Sequence, residues 1–261
     1  KGLVLLVCMG KLELKIKNMN KLKNFTLFIF SIVITIFLIE FAYSLYQVSS
    51  FKANKSSSQG RSKFDEYKIL KKNNKLITVV TPPASLINEG RLKNNLFPLS
   101  GISNRLTINC NENGYFSKYY SDRYGFNNKD DLWDKKVELL LIGDSYTHGA
   151  CVNYLDTFAG NFNLKYNTIS LGYGGNGPII ELGTIKEYIN LVNPKKVIWI
   201  YTEVNDMQNM IAEFNHPLLK RYLTEKKFFQ NLQKKQNLIN DIKKKKIFKE
   251  FKNFNKKKKI L

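Results

Sequence analysis

The chain has 261 residues, which is enough for one domain with a substantial core and additional segments. Its formal net charge is +21, supplied mostly by lysine, while arginine is scarce. Arginine is the side chain best suited to phosphate forks and base edges, and much of the lysine lies near the two chain ends, so we expect no nucleic-acid partner. Zinc-type spacing of cysteine and histidine is absent from the sequence, and we expect neither a metal nor an organic cofactor.

Residues 25–46 form a long apolar run, FTLFIFSIVITIFLIEFAYSLY. As a helix this run spans roughly 33 Å at ~1.5 Å per residue, enough to cross a bilayer. The preceding basic segment, residues 1–24, contains several lysines, so the positive-inside rule predicts a cytoplasmic amino terminus and an exported main domain. The sequence therefore predicts a single-pass membrane anchor in contact with lipid. A cleaved signal peptide is the alternative.

Two segments separate this run from the main domain. Residues 47–63 are polar and of low complexity, which predicts a flexible linker. Residues 64–134 form a lead-in region, in which Leu76 to Thr81 has the pattern of a strand and Tyr115 to Phe126 is rich in aromatic side chains. We expect the aromatic segment to pack on the main domain as core.

Cysteine usage bears on the compartment of the main domain. Cys110 and Cys151 are the two cysteines that follow the apolar run. In an exported domain such a pair forms a disulfide readily, and we predict one here. Two buried free thiols are the alternative.

An α/β domain is predicted over residues 135–261. Its first apolar run, residues 137–142, is continuous, as is typical of a strand buried on both faces in a parallel sheet. Apolar runs predict strands at residues 137–142, 166–171 and 196–202. Helical spacing predicts helices at residues 178–192, 207–214 and 217–223.

Each predicted strand is followed by residues suited to chemistry. Gly143-Asp144-Ser145 follows the first strand, a turn from Gly172 to Gly175 follows the second, and Asn205-Asp206 follows the third. The carboxyl ends of parallel strands meet at the edge where open α/β sheets bind ligands, so we expect these groups to share one cleft. A serine there presents a nucleophilic hydroxyl, while turn N–H groups and an amide can hold an oxyanion.

These three blocks resemble those of the GDSL/SGNH hydrolase family over residues 110–223. The resemblance implies that Ser145 is the nucleophile and that the Ser145 N–H, the Gly175 N–H and the Asn205 amide hold the oxyanion, with Gly172 as the earlier glycine of the second block. It implies an ester hydrolase that acts on O-acyl groups, with cell-envelope carbohydrates as the expected substrates. The implied fold is a three-layer α/β architecture with a flavodoxin-like parallel sheet, here preceded by one transmembrane helix.

The sequence departs from the family pattern at several positions. Tyr146 replaces the leucine of the family name, and Ser170 and Glu203 replace the usual asparagine and glycine of the later blocks. The family's general base is a histidine in an Asp-x-x-His block, and neither His148 nor His216 lies in such a block. We therefore expect a partial, C-terminally incomplete hydrolase domain with an unpaired sheet edge and weak or no esterase activity.

The remaining polar residues of the blocks receive supporting roles. His148 follows Ser145 by three residues, and we interpret it as a structural residue beside the cleft rather than as the base. Asp144 is interpreted as a turn or cap residue of the nucleophile loop. Asp206 either orients Asn205 or is solvated.

Two other classes of function remain open. Residues 172–177 match Gly-x-Gly-x-x-Gly between a strand and a helix, which is typical of dinucleotide binding, and Glu203 lies where a ribose-binding carboxylate is expected. A non-catalytic, membrane-anchored glycan-binding or structural protein would keep the cleft and lack the base.

Overall fold

The computed structural model describes residues 23–43, 61–90, 92–203 and 205–258. The chain divides into two compact units, Lys1–Lys55 and Ser56–Leu261. In the first unit, helix α1 spans Lys23–Tyr43 and is long and apolar enough to cross a membrane. A signal sequence would also contain such a helix. The end of the predicted anchor, residues 44–46, and most of the basic segment before it lie outside the described residues.

The second unit begins with helix α2, Lys63–Lys71. Ser62 caps this helix: its hydroxyl accepts from the Asp65 N–H, and the Asp65 carboxylate accepts from the Ser62 N–H. Because this capping box fixes the first turn, the last residue of the predicted linker belongs to a helix instead. Residues 47–60 of that linker lie outside the described residues.

Two three-stranded sheets follow along the chain. The first is mixed and consists of β1 (Ile77–Val79), β2 (Leu106–Ile108) and β3 (Lys118–Tyr120), with β1–β2 parallel and β2–β3 antiparallel. The second is parallel and consists of β4 (Leu139–Gly143), β5 (Thr168–Ser170) and β6 (Lys196–Ile200), in the order β5-β4-β6. The remaining helices are α3 (Ser145–His148), α4 (Phe158–Phe162), α5 (Pro178–Val192), α6 (Asp206–Phe214), α7 (Pro217–Thr224) and α8 (Gln236–Lys258).

Strand β4 is the centre of the parallel sheet, and each of its residues is buried. Its register pairs Leu140 with Ile169 on one side and with Val197 on the other. The strand ends at Gly143, where a Cβ atom would overlap the Thr147 hydroxyl and the Ile200 carbonyl oxygen. Only glycine lets the chain leave the sheet this tightly, and the turn delivers the next two residues to the sheet edge.

The lead-in region and the residues after the predicted boundary at residue 135 belong to one compact unit. Phe97 and Phe126 share one buried core with Leu140 and Tyr188. The Asn128 side chain also bonds both backbone groups of Ser170 in β5, donating to its carbonyl oxygen at 2.9 Å and accepting from its N–H at 2.8 Å. The sequence pattern could not show this, because the contacts join distant segments.

Helix α8 connects the two halves of the second unit. Its residues Ile239 and Ile242 lie in the core around β4. Further along the helix, Ile247 packs in a second cluster against the mixed sheet, with Phe64 and Ile108. The lysine-rich carboxyl-terminal segment is therefore a packed helix with a charged outer face.

Strand β6 lies at the edge of the parallel sheet, and within the described part of the chain only β4 pairs with it. Apolar side chains on this strand and on the turn after it are exposed: Val197, Trp199 and Tyr201. The expected unpaired edge is thus present among the described residues. An apolar edge of this kind favours association with another strand.

Candidate functional site

Ser145 lies where β4 ends and is the first residue of α3. The side chain is partly exposed, whereas Asp144 before it is fully buried. Asp144 is the N-cap of α3, and its Oδ1 accepts from the Tyr146 N–H at 3.0 Å. The interpretation of Asp144 as a turn and cap residue therefore agrees with its position.

The Asp144 carboxylate also joins the first and third blocks. Its Oδ2 accepts from the Ser145 hydroxyl and from the Asn205 Nδ2, each at 3.3 Å. The two donor atoms therefore lie within twice that distance of each other. Asp144 Oδ1 accepts in addition from the Thr202 hydroxyl at 3.1 Å. One carboxylate thus fixes the serine, the amide and the loop that carries the amide.

Asn205 keeps a free hydrogen for a ligand. An amide nitrogen carries two hydrogens, and the Asn205 Nδ2 donates to Asp144. Among the described residues this second hydrogen has no acceptor, although Asn205 does not line the cavity beside Ser145. Since the amide's orientation is set by the buried Asp144, this donor is pre-oriented.

The second block contributes glycines beside the serine. A Cβ atom at Gly174 would lie 3.8 Å from the Ser145 Cβ, whereas one at Gly175 would lie 3.8 Å from Ala84. Gly175 has a φ of 76°, in the left-handed region where glycine is favoured. Gly172 packs against α3, where a Cβ atom would overlap the Thr147 side chain and the His148 backbone nitrogen. Gly174, which the family pattern does not single out, is therefore the glycine whose contact with Ser145 is defined.

The His148 ring contacts Tyr119 and Tyr173 and is not hydrogen-bonded to the Ser145 hydroxyl. Its Nε2 lies 3.1 Å from the Tyr119 hydroxyl, and its ring stacks on Tyr173 with centroids 4.5 Å apart. Complete burial lowers the pKa of His148 to about 4, so the ring is neutral at pH 7. The hydrogen-bond partner of the Ser145 hydroxyl within the described residues is Asp144. The interpretation of His148 as structural agrees with this geometry.

His216 takes part in a different region. Its ring contacts Phe97 edge-to-face at 4.7 Å, and burial lowers its pKa. It lines a cavity of about 560 Å³ together with Ile87, Leu92 and Pro217. No residue of the three blocks lines this cavity, so His216 is separated from the chemistry expected at Ser145.

Buried carboxylates lie behind the site. Asp206 Oδ2 accepts from the Thr202 N–H at 2.6 Å, so Asp206 holds the loop before Asn205. Burial and the neighbouring Asp144 charge raise the pKa of Asp206. Burial also raises the pKa of Glu181 to about 8, although the Trp199 indole N–H donates to it. Among the described residues, no group of three or more histidine, cysteine, aspartate or glutamate side chains is arranged to hold a metal ion.

The amino terminus of α5 is occupied by Glu213 from α6. One carboxylate oxygen accepts from the Gly177 N–H at 2.6 Å, and the other accepts from the N–H groups of Ile179 and Ile180 at 2.9 and 3.1 Å. These are the donors that would face a pyrophosphate after a Gly-x-Gly-x-x-Gly turn. A resident carboxylate disfavours an anion there, and the arrangement argues against the dinucleotide alternative.

A cavity opens beside Ser145. It has a volume of about 430 Å³, and Tyr146 and Phe158 supply aromatic surface to it. Glu112 and Asp156 supply exposed carboxylates. Because two acidic groups line the opening, the cavity favours neutral over anionic ligands.

Cys110 and Cys151 form a disulfide, with Cα atoms 4.7 Å apart. The bond ties the segment after β2 to the segment after α3. Asn113 reinforces the link by donating to the Cys151 carbonyl oxygen at 3.3 Å. The disulfide therefore holds Glu112 near the cavity that contains Ser145.

Comparisons with protein-family models, characterised proteins and solved structures return no match to this chain. The function must therefore be argued from the geometry of the site.

Several site residues are not evident from the sequence. Thr202 and Glu213 lack a motif that marks them, although Thr202 is the last residue of a predicted strand. Gly174 lies within the predicted turn, but the family pattern does not single it out. Glu213 acts across more than thirty residues of chain. A helical residue of this type is normally interpreted as solvated.

Proposed function

We propose that this chain is a serine ester hydrolase of the GDSL/SGNH type that binds O-acyl esters and turns them over slowly. The observation that supports this proposal is the pairing of the Ser145 hydroxyl and the Asn205 amide on the single buried carboxylate of Asp144. In this mechanism the Ser145 oxygen attacks the acyl carbon and its proton passes to solvent. The alcohol then leaves as the tetrahedral intermediate collapses, and water hydrolyses the acyl-serine. The Asn205 amide and N–H groups of the Gly174–Gly175 turn stabilise the oxyanion.

The sheet order supports the same assignment. β4 lies between β5 and β6, so the three blocks follow three adjacent strands. This order matches that of the first three strands in a flavodoxin-like sheet, whose ligands bind at the carboxyl ends of the strands. A flavodoxin-like α/β architecture is therefore part of the proposal.

Slow turnover follows from the lack of a general base in contact with Ser145 among the described residues. A serine hydroxyl is a weak nucleophile on its own, and losing one member of a triad forfeits several orders of magnitude in rate. Asp144, which accepts from the Ser145 hydroxyl, is a poor substitute for a histidine base, because its two oxygens also accept three other hydrogen bonds, from Tyr146, Thr202 and Asn205. The proposal therefore retains the oxyanion donors that bind an acyl group and lacks efficient removal of the Ser145 proton.

We further propose that the substrate is a neutral O-acylated carbohydrate of the cell envelope. The exposed Tyr146 ring and the Phe158 ring offer apolar faces, and Glu112 and Asp156 disfavour anionic ligands. Helix α1 would anchor the domain at the exported side of the membrane. The Cys110–Cys151 disulfide supports that side, because disulfides persist in oxidising compartments.

Boronic acids test the acyl site separately from turnover. A trigonal boronic acid becomes tetrahedral when a serine hydroxyl adds to it, and ¹¹B NMR detects the change. We expect a tetrahedral phenylboronate signal with the full chain, loss of the signal in Ser145→Ala and weakening in Asn205→Ala. Asn153→Ala, an exposed asparagine near the cavity, is the matched control. Absence of the signal from the unmodified chain would overturn the proposal.

Turnover is measured with p-nitrophenyl acetate on the full chain beside Ser145→Ala and His148→Ala. We expect a low rate that Ser145→Ala removes and His148→Ala leaves in place. Fast turnover that both substitutions abolish would show that His148 is the base and that the observed ring orientation is not the active one.

A second candidate, a non-catalytic glycan-binding protein, is favoured by one observation: His148 is engaged by Tyr119 rather than by Ser145. In that case acetylated oligosaccharides bind equally well to the unmodified chain and to Ser145→Ala. Phe158→Ala would weaken binding by removing an apolar face. Loss of binding in Ser145→Ala would exclude this candidate.

A further inference from the structure

Four cationic side chains surround one cavity of about 350 Å³ in the second unit: Lys71, Lys75, Arg105 and Lys244. None of the four forms an ion pair with another described residue. Lys71 lies over the Tyr67 ring at 5.0 Å, and the Arg105 guanidinium donates to the neighbouring Asn104 carbonyl oxygen at 3.1 Å. The positive charge at this cavity is therefore not neutralised within the described part of the chain.

No carboxylate is among the described residues that line this cavity, and two carboxylates that reach α8 pair with other lysines of that helix. Glu89 accepts from Lys246 and Lys249, and these bonds lower the pKa of Glu89. Asp65 pairs with Lys258 at 3.0 Å. Because the described lining has four cations and no carboxylate, an external anion is a suitable partner for the cavity.

The floor of the cavity is apolar. Ile77, Ile102 and Ile247 are buried there. Phe248 lines the same cavity and is 69% exposed. An exposed aromatic ring among lysines on a helix is typical of a surface that enters the interface of an anionic bilayer. The cavity thus combines a site for an anionic group with apolar surface for hydrocarbon.

The chain position of the cavity favours a membrane lipid over a soluble anion. Helix α2, which supplies Lys71, is the first described element after α1. Residues 44–62 connect the two helices and span at most ~65 Å when fully extended. If α1 lies in a bilayer, lipid headgroups are therefore within reach of the cavity at a high effective concentration.

We propose that this cavity binds the phosphate headgroup of an anionic phospholipid and thereby docks the second unit on the membrane. The inference rests on the proposed anchoring of the chain by α1. Its chemistry is attraction of one lipid phosphate by four cations, with Phe248 inserted among the acyl chains. The Ser145 cleft takes no part in it.

The test uses the full chain with Phe248→Trp in lipid nanodiscs that contain brominated phosphatidylcholine, with or without phosphatidylglycerol. Bromine quenches an indole that enters the acyl region, and the chain without the substitution corrects for Trp133 and Trp199. We expect quenching at residue 248 only when phosphatidylglycerol is present. Equal quenching in both discs would overturn the proposal.

Charge variants complete the test. Replacing Lys71, Lys75, Arg105 and Lys244 with glutamine should abolish the lipid-dependent quenching, because each basic residue near an anionic surface strengthens binding roughly fivefold. The matched control replaces four other exposed, unpaired lysines and should retain it: Lys136, Lys165, Lys226 and Lys227. Equal loss of quenching in both variants would show that only the net charge matters, and it would overturn the proposed phosphate site. Failure of the chain to stay with the nanodisc would instead refute the anchor.

Discussion

Asp144 is expected to be the residue on which both the stability and the chemistry of the site depend. Its carboxylate is fully buried and accepts from Tyr146, Thr202, Ser145 and Asn205. Asp144→Ala removes the cap of α3 and leaves the Thr202 hydroxyl and the Asn205 amide without their acceptor. An N-cap is worth about 1 kcal/mol, and each stranded polar group costs about as much, so we expect a loss of about 3 kcal/mol.

Asp144→Asn separates the two roles. Its amide oxygen can still accept from Tyr146 and Thr202, which preserves the cap. Its amide nitrogen would face the Asn205 Nδ2, so Asn205 must rotate and present its Oδ1, which has no partner in the structure. We therefore expect a loss of only about 1 kcal/mol, together with loss of phenylboronate binding as large as in Asn205→Ala.

Urea unfolding of the full chain in detergent, followed by tryptophan fluorescence, measures the free energies, and ¹¹B NMR measures binding. Asp156→Asn, at an exposed carboxylate of the same cavity, is the control and should change stability by less than about 0.5 kcal/mol. If Asp144→Asn keeps full phenylboronate binding, Asp144 does not orient the oxyanion donor. If Asp144→Ala is as stable as the control, the bonds to Asp144 contribute nothing measurable.

Three further results are expected. Replacing Cys110 and Cys151 with serine should lower the free energy of unfolding by roughly 4 kcal/mol, the loop-entropy value for their separation of 41 residues. Unchanged stability of this double variant would contradict the prediction, as would a further loss of its stability when dithiothreitol is added. Val197→Lys should reduce light scattering of concentrated protein by blocking the β6 edge, whereas Leu164→Lys, on a more exposed residue away from that edge, should not. Burial raises the pKa of Glu181 from 4.5 to about 8, so its stabilising contribution is complete below pH 4.5 and is lost as the pH rises through about 8. Urea midpoints should therefore fall more steeply between about pH 4.5 and 8 in the unmodified chain than in Glu181→Gln, and parallel profiles would refute this assignment.

The parallel sheet is predictable from the sequence because its signals are local. The apolar run at residues 137–142 contains most of β4, and the apolar spacing after Pro178 gives the bounds of α5 as the structure has them. The meeting of the strand-end groups also follows from the rule that the carboxyl ends of parallel strands share one edge. By contrast, α2 begins within the predicted linker, because its cap needs only the pair Ser62 and Asp65 within a polar sequence.

The parts that the sequence could not predict depend on contacts between distant segments. Asn128 completes the hydrogen bonding of β5 from within the lead-in region. Glu213 caps a helix that begins 35 residues earlier, and in the sequence it is one more acidic residue on an amphipathic helix. A side-chain oxygen that accepts from a backbone N–H in place of a carbonyl oxygen leaves no periodic pattern in the sequence. For this reason the lead-in region has the sequence pattern of an accessory segment, although it is part of the core.

The position of His148 limits how active the described site can be. To reach the Ser145 hydroxyl, the ring would have to leave the Tyr119 hydroxyl and its stacking contact with Tyr173. Losing a buried hydrogen bond and an aromatic contact costs together about 3 kcal/mol. Such a conformer would be populated at about one part in a hundred, and a rate that depends on it falls by the same factor. The oxyanion donors need no such rearrangement, because Asp144 already orients Asn205. We therefore expect this site to bind a tetrahedral acyl mimic well although it hydrolyses esters slowly.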